Sequence, residues 1–177
     1  MFATITLTAL ALRAANRARA AEAQQRQIAE QRGKEAETQA GIALAVNAFL
    51  NDDLLAAVAP GQQGRDVTVR QVLDTASQKI SDKFKRQPLV EASVRLTLGS
   101  TYRSLGHYDK AAGHITRAID LRRAGLGEEH ADTLSAMNEL AWLYKEAGRL
   151  DDAEQLYLKT LAGYRHSVGD NDPRTLD

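Results

Sequence analysis

Apolar residues recur at helical spacing along most of the chain, and short breaks separate one helical run from the next. The breaks contain glycine or proline, as at Pro88, Gly106 and Gly148. The pattern predicts helices over residues 68–85, 89–105, 108–124, 132–147 and 151–165. Connections this short make consecutive helices antiparallel neighbours. We therefore predict an all-α fold of stacked helix hairpins, preceded by a long N-terminal helix.

The first residues of the chain form an apolar segment. Residues 1–12 carry no charge, and as a helix they would span about 18 Å, short of the roughly 30 Å hydrocarbon core of a membrane. Arg13, Arg17 and Arg19 follow directly, as in a juxtamembrane cluster. Two interpretations stay open: a helix that packs on a partner, or the second half of a truncated membrane span.

Residues 13–59 are predicted to be a helical, coiled-coil-like extension. Ile28 is the only large aliphatic residue between positions 13 and 40, so a full heptad seam is missing. Basic side chains outnumber acidic ones from Arg13 to Lys34, which favours either contact with an anionic membrane surface or a solvated helix face. A loop over residues 59–66, with Pro60 in it, is predicted to separate this extension from the C-terminal part.

The C-terminal part repeats itself when the sequence is shifted by 42 residues. The aligned pairs include both tyrosines, both break glycines and two threonines: Tyr102 with Tyr144, Gly106 with Gly148, and Thr133 with Thr175. This spacing predicts a degenerate half-repeat at 66–86, repeat 1 at 89–130, repeat 2 at 131–172 and the start of a third repeat at 173–177. One hairpin cannot bury its own apolar stripes, so neighbouring repeats must stack.

Local signals predict how the helices end. Gly148 suits a left-handed cap at the end of a helix, where the chain reverses. Asp132 or Thr133 is predicted to cap the start of the helix that follows the loop.

Composition and charge exclude several classes of function. The 23 basic and 23 acidic side chains give no net charge, which argues against a dedicated nucleic-acid-binding protein. The absence of cysteine excludes disulfide frameworks, cysteine-ligated zinc and thiol nucleophiles. The chain has 30 alanines and 22 leucines but only 9 aromatic residues, a balance that favours helices over strands.

The sequence contains only weak signals for catalysis or metal binding. His107, His114, His130 and His166 show no metal-ligand spacing with a carboxylate partner. No serine-nucleophile motif occurs, and the pairs Glu128-Glu129 and Asp151-Asp152 fit loops and helix N-termini. We therefore predict no cofactor, no metal site and no enzyme activity.

The repeated residues resemble a known family. The pattern Leu-Gly or Leu-Ala, a tyrosine three residues later, then Gly-x-Tyr-Asp-x-Ala or Gly-x-Leu-Asp-x-Ala is similar to the tetratricopeptide repeat. The 42-residue length and the loop at 126–134 resemble the kinesin light chain type. Pro173 fits that type, whereas Ala131 replaces the expected proline and Arg95 occupies a position that is normally apolar.

The resemblance implies a concave groove that binds peptides, lined by the first helix of each repeat. Carried over position by position, the peptide-groove candidates are Leu96, Ser100, Arg103, Ser135, Asn138, Trp142 and Lys145. Asn138 could bond a peptide backbone as donor and acceptor, and Arg103 with Lys145 would form a cationic pair for an acidic segment. In the alternative interpretation, Trp142 packs against the next repeat and Lys145 is merely solvated.

The N-terminal part has a second resemblance. The apolar segment, the polar tract and the sequences at 46–55 and 66–74 resemble the region that follows the kinase domain in bacterial serine/threonine protein kinases with tetratricopeptide arrays. The kinase motifs themselves are absent from this chain.

The two resemblances together imply a non-catalytic protein-binding or peptide-binding scaffold in bacterial signalling. The alternative is a membrane-tethered regulatory stalk that self-associates. The ligand stays unidentified, and the location stays open between the cytoplasm and a membrane contacted through residues 1–19.

Overall fold

A computed structural model describes the backbone of residues 2–49, 52, 68–169 and 175, with side chains from residue 15 onward except Val168. The described backbone forms helices and contains no strand. The helices are α1 (Phe2–Ala48), α2 (Val69–Lys83), α3 (Pro88–Ser104), α4 (Tyr108–Leu126), α5 (Ala131–Glu146) and α6 (Leu150–Val168). The prediction of an all-α helical solenoid with a long N-terminal helix is confirmed. Residues 1–43 and 44–177 form two separate units.

The N-terminal unit consists of one long helix, and its side chains from residue 15 to residue 41 form no buried face. α1 runs for 47 residues, about 70 Å. Its residues 15–41 are all exposed, including Ile28. Oppositely charged side chains one turn apart form an ion pair on this surface: Arg26 Nη2 lies 2.6 Å from Glu22 Oε1. No helix in the described part of the chain is long and apolar enough to span a membrane. The side chains of the apolar segment 1–12 lie outside the described residues.

α2 begins with a capping box and buries its apolar face. Thr68 caps it: the Thr68 hydroxyl accepts from the Gln71 backbone N–H at 3.3 Å, and the Gln71 side chain accepts from the Thr68 backbone N–H at 2.9 Å. The apolar face of α2 is buried, with Leu73 and Ile80 at its centre. The loop predicted at 59–66 lies outside the described residues.

α3 with α4 and α5 with α6 form two helix hairpins that turn in the same way. Gly106 and Gly148 follow α3 and α5 with φ of 73° and 78°. The Gly148 N–H donates to the Lys145 carbonyl at 3.1 Å, and the Arg149 N–H donates to the Tyr144 carbonyl at 2.8 Å. These two bonds form a Schellman cap, and the same two bonds recur 42 residues earlier. The predicted left-handed cap at Gly148 is confirmed.

The loop between α4 and α5 differs from the prediction. The imidazole of His130, not Asp132 or Thr133, caps α5 by accepting from the Asp132 backbone N–H at 3.2 Å. The Thr133 hydroxyl instead turns back and donates to the Gly127 carbonyl at 2.8 Å. The predicted cap was wrong because α5 begins at Ala131, so Asp132 and Thr133 already lie inside its first turn. From there the Thr133 hydroxyl reaches the preceding loop. Thr175 makes the same 2.8 Å bond to the Gly169 carbonyl.

The interior of the hairpins is apolar and closely packed. The helices bury the predicted stripes, with Leu98, Met137 and Ala141 each at most 1% exposed. α3 and α4 approach closely at Gly99, where a Cβ atom would lie 2.6 Å from Ile115 Cγ1. α5 packs on α4 as well as on α6, so the two hairpins are stacked. This stacking places one face of α3 beside one face of α5.

Candidate functional site

A groove of about 500 Å³ opens between α3 and α5. Its lining consists of Leu96, Thr97, Ser100, Thr101 and Arg103 of α3, Ile115 of α4, and Glu139 and Trp142 of α5. Trp142 is 52% exposed, an unusual fraction for a side chain with so large an apolar surface. The groove therefore offers a large aromatic surface between charged and hydroxyl side chains.

Arg103 joins the two sides of the groove. Its guanidinium carbon lies 4.8 Å from the centre of the Trp142 ring, within the range of a cation–π contact. Its Nε lies 3.8 Å from Glu146 Oε2, so the guanidinium also meets an anion of its own chain. Arg103 thus has two partners on α5 before any ligand arrives.

Glu139 is a partly buried carboxylate on the other side of the groove. Burial raises the pKa of its carboxyl, while the positive charges of Arg122 and Arg103 act in the opposite direction. Within the described part of the chain, the carboxylate accepts no hydrogen bond and no cationic nitrogen lies within ion-pair distance. Arg122 is occupied elsewhere, because its Nη1 donates to the Asp132 carbonyl at 2.7 Å.

The threonines of α3 present oxygen acceptors to the groove. Thr97 donates its hydroxyl proton to the Ser93 carbonyl at 3.1 Å, and Thr101 donates to the Thr97 carbonyl at 2.8 Å. A hydroxyl that donates within its own helix keeps lone pairs free to accept. These two hydroxyls can therefore take part in ligand binding only as acceptors.

Comparison with known proteins agrees with this geometry. Residues 90–166 match the family model described as Tetratricopeptide repeat. These matched residues are referred to here as the tetratricopeptide region. A comparison with curated proteins finds no match. The matched residues include α4 and α5 in full and most of α3 and α6, and thus every side chain of the groove.

The predicted groove residues of the tetratricopeptide region fall into two sets. Leu96, Ser100, Arg103 and Trp142 line the groove together. Leu96 is only 8% exposed, so it offers little surface to a ligand. The remaining candidates are exposed on α5 outside the groove lining: Ser135, Asn138 and Lys145.

Sequence reasoning missed Glu139, Thr97 and Thr101 as groove residues. Helical spacing carried the missing signal, because Glu139 lies three residues before Trp142 and therefore on the same side of α5. Thr97 and Thr101 are one turn apart on α3. The partial burial that shifts the pKa of Glu139 depends on stacking with α3 and α4, which the pattern of one helix does not contain.

A second polar cluster lies where the tetratricopeptide region meets α2. The Tyr102 hydroxyl donates to Asp74 Oδ1 at 2.6 Å, and burial raises the pKa of Tyr102 to about 12. The Tyr102 ring stacks on His114 with centroids 5.4 Å apart. Burial, with the positive charges of Arg95 and Lys110, lowers the pKa of His114 to about 4.

Arg95 also belongs to this cluster, and its contacts explain how a charged side chain occupies a position that is normally apolar. Its Nε donates to Glu91 at 2.7 Å, and its Nη2 donates to Ser81 of α2 at 2.8 Å. A charged residue is tolerated here because a carboxylate and a hydroxyl group pair with it.

Among the described residues, no group of three histidine or carboxylate side chains could hold a metal ion.

Proposed function

We propose that the tetratricopeptide region binds a segment of a partner protein in the groove between α3 and α5 and acts as a non-catalytic scaffold. Tetratricopeptide repeats generally mediate protein–protein interaction. The observation that carries the proposal is the half-exposed ring of Trp142 inside a groove of about 500 Å³. An exposed tryptophan in a concave site is a typical anchor for a protein ligand.

The exposed residues of α5 outside the lining extend this surface. Ser135 and Asn138 lie seven and four residues before Trp142, and Lys145 lies three residues after it, so all three lie along the same side of the helix as Trp142. We assign Asn138 a backbone-binding role, because its amide both donates and accepts hydrogen bonds.

The test is selection from an unbiased peptide-display library against the whole chain. Binders that use the groove should lose about tenfold or more in affinity with Trp142→Ala, and a smaller factor with Asn138→Ala. Leu158→Ala is the matched control, because Leu158 is an exposed apolar residue of α6 outside the groove. Binders that depend on Leu158 and not on Trp142, or no binders at all, would contradict the proposal.

We also propose that the region is of the 42-residue kinesin light chain type, with repeats at 89–130 and 131–172, a half-repeat at 66–86 and a third repeat starting at 173–177. The recurring glycine caps and the matched threonine bonds at Thr133 and Thr175 support this division. Insertion of a second copy of residues 131–172 after residue 172 should give a folded protein with a higher melting temperature. A loss of helical circular dichroism on insertion would contradict a 42-residue stacking unit.

We separately propose that this chain is part of a bacterial serine/threonine protein kinase. This proposal is supported by the resemblance of residues 46–55 and 66–74 to the segment that follows such kinase domains. The genomic sequence upstream of the Met1 codon tests it: an in-frame apolar segment preceded by kinase motifs is expected, and an unrelated reading frame would contradict it.

A further inference from the structure

We propose that the groove takes an arginine side chain of the partner segment, with Glu139 as the carboxylate that receives it. This inference rests on the proposed function and specifies the chemistry of its ligand. It reverses the expectation, drawn from Arg103 and Lys145, of an acidic segment.

The first argument is the balance of donors and acceptors in the groove. Thr97 and Thr101 donate their hydroxyl protons to backbone carbonyls of α3 and keep lone pairs that can accept hydrogen bonds. The Glu139 carboxylate, when ionised, can only accept hydrogen bonds, because it has no proton to donate. Thr97, Thr101 and Glu139 thus supply acceptors without a free proton to the groove lining, and a ligand group rich in N–H donors complements them.

The second argument is the state of Glu139. Its carboxyl is partly desolvated, and no described residue donates a hydrogen bond to it. The nearby cations do not meet that need: Arg122 donates to the Asp132 carbonyl, and Arg103 lies against Trp142 and Glu146. A cationic donor from a ligand would satisfy a carboxylate that the chain itself leaves without a donor.

The third argument concerns Arg103, the cationic side chain in the groove. An acidic ligand would have to compete with Glu146 and the Trp142 ring for Arg103. An arginine ligand leaves the contacts of Arg103 in place, and the Glu146 carboxylate beside Arg103 reduces the repulsion between the two guanidinium groups. The half-exposed Trp142 ring still offers the ligand apolar surface. Arginine fits better than lysine, since its planar guanidinium binds a carboxylate through two N–H groups and stacks on aromatic rings.

The test uses the intrinsic fluorescence of Trp142, the only tryptophan of the chain. The probes are the capped pentapeptides Gly-Gly-X-Gly-Gly with arginine, lysine, citrulline or glutamate at X. We expect saturable binding in the millimolar range for arginine, weaker binding for lysine, and none for glutamate. Glu139→Gln should weaken the arginine peptide by about 10- to 100-fold. The control Glu154→Gln, an exposed glutamate of α6, should leave binding unchanged.

A second measurement needs no substitution. The carboxyl carbon of Glu139, followed by NMR, should titrate at a lower pH when the arginine peptide is bound, because a cation favours the ionised form. Tighter binding of the glutamate peptide, an arginine response that survives Glu139→Gln, or no arginine response up to about 10 mM would each overturn the inference. Display binders that need Trp142 but lack arginine would refute this inference alone, whereas the absence of any Trp142-dependent binder would refute the proposed function.

Discussion

Replacement of Gly99 by alanine tests whether the close contact of α3 and α4 sets the stability of the first hairpin. The added methyl group would lie 2.6 Å from Ile115 Cγ1 and 3.3 Å from the Ala111 carbonyl oxygen. Cγ1 belongs to a β-branched side chain whose χ1 rotation is restricted in a helix, and the carbonyl oxygen belongs to the backbone, so neither atom moves away easily. The two helices must therefore separate.

The magnitude follows from two opposing terms. Overpacking of a close helix contact costs about 1–3 kcal/mol. Alanine in place of glycine inside a helix returns about 1 kcal/mol. We expect Gly99→Ala to lower the free energy of unfolding by about 1 kcal/mol net. Gly113→Ala on α4 is the matched control, since no atom lies within 4 Å of its Cβ position. It should raise the free energy of unfolding by about 0.5–1 kcal/mol.

Urea unfolding followed by far-ultraviolet circular dichroism measures both variants on the whole chain. The midpoint should fall for Gly99→Ala and rise for Gly113→Ala, with the slope of each transition unchanged. If the two variants raise the midpoint equally, the methyl group at position 99 meets no resistance. The argument from helix approach would then be refuted.

Three further predictions concern pH, backbone conformation and the loop bond. The pKa of His114 is lowered from 6.5 to about 4, so the unfolded chain takes up the proton first. The free energy of unfolding should fall by about 1 kcal/mol between about pH 7 and pH 5, with screening of the partly exposed ring allowed for. His114→Gln should remove this component, and an unchanged pH slope would contradict it. Gly148→Ala forces a side chain onto φ of 78° and should lower the melting temperature, at a cost of about 1–2 kcal/mol, whereas Gly113→Ala should not. Thr133→Val leaves the Gly127 carbonyl without its donor and should cost about 1 kcal/mol in urea unfolding; no change would show that water replaces the hydroxyl.

Much of the fold could be predicted because its determinants are local. Helical spacing of apolar residues located five of the helices within about three residues, and the break glycines gave the turns. Gly148 is the clearest case, since its left-handed backbone follows from the end of one helix and the return of the next. The cap of α5 was misplaced, because the side chain of His130 reaches its backbone donor through the geometry of the loop.

The site was predictable only in part, because its chemistry depends on neighbours from other helices. Spacing and family resemblance brought out Arg103 and Trp142, which do meet in the groove. The same reasoning assigned Arg103 to an acidic ligand, since the sequence does not show that Glu146 of α5 lies beside it. Glu139 was missed for the converse reason: a glutamate on a helix is ordinarily solvated, and only the stacking of α3, α4 and α5 makes it partly buried.

The contact of Arg103 with α5 has a consequence for cooperativity. In a stacked array, total stability is the sum of the stability of each hairpin and the coupling between neighbours. Arg103 belongs to the first hairpin while Trp142 and Glu146 belong to the second, so these contacts contribute to the coupling and to neither hairpin alone. A segment bound between α3 and α5 would touch both hairpins in the same way. Its binding energy would therefore make the two hairpins unfold more nearly as a single unit.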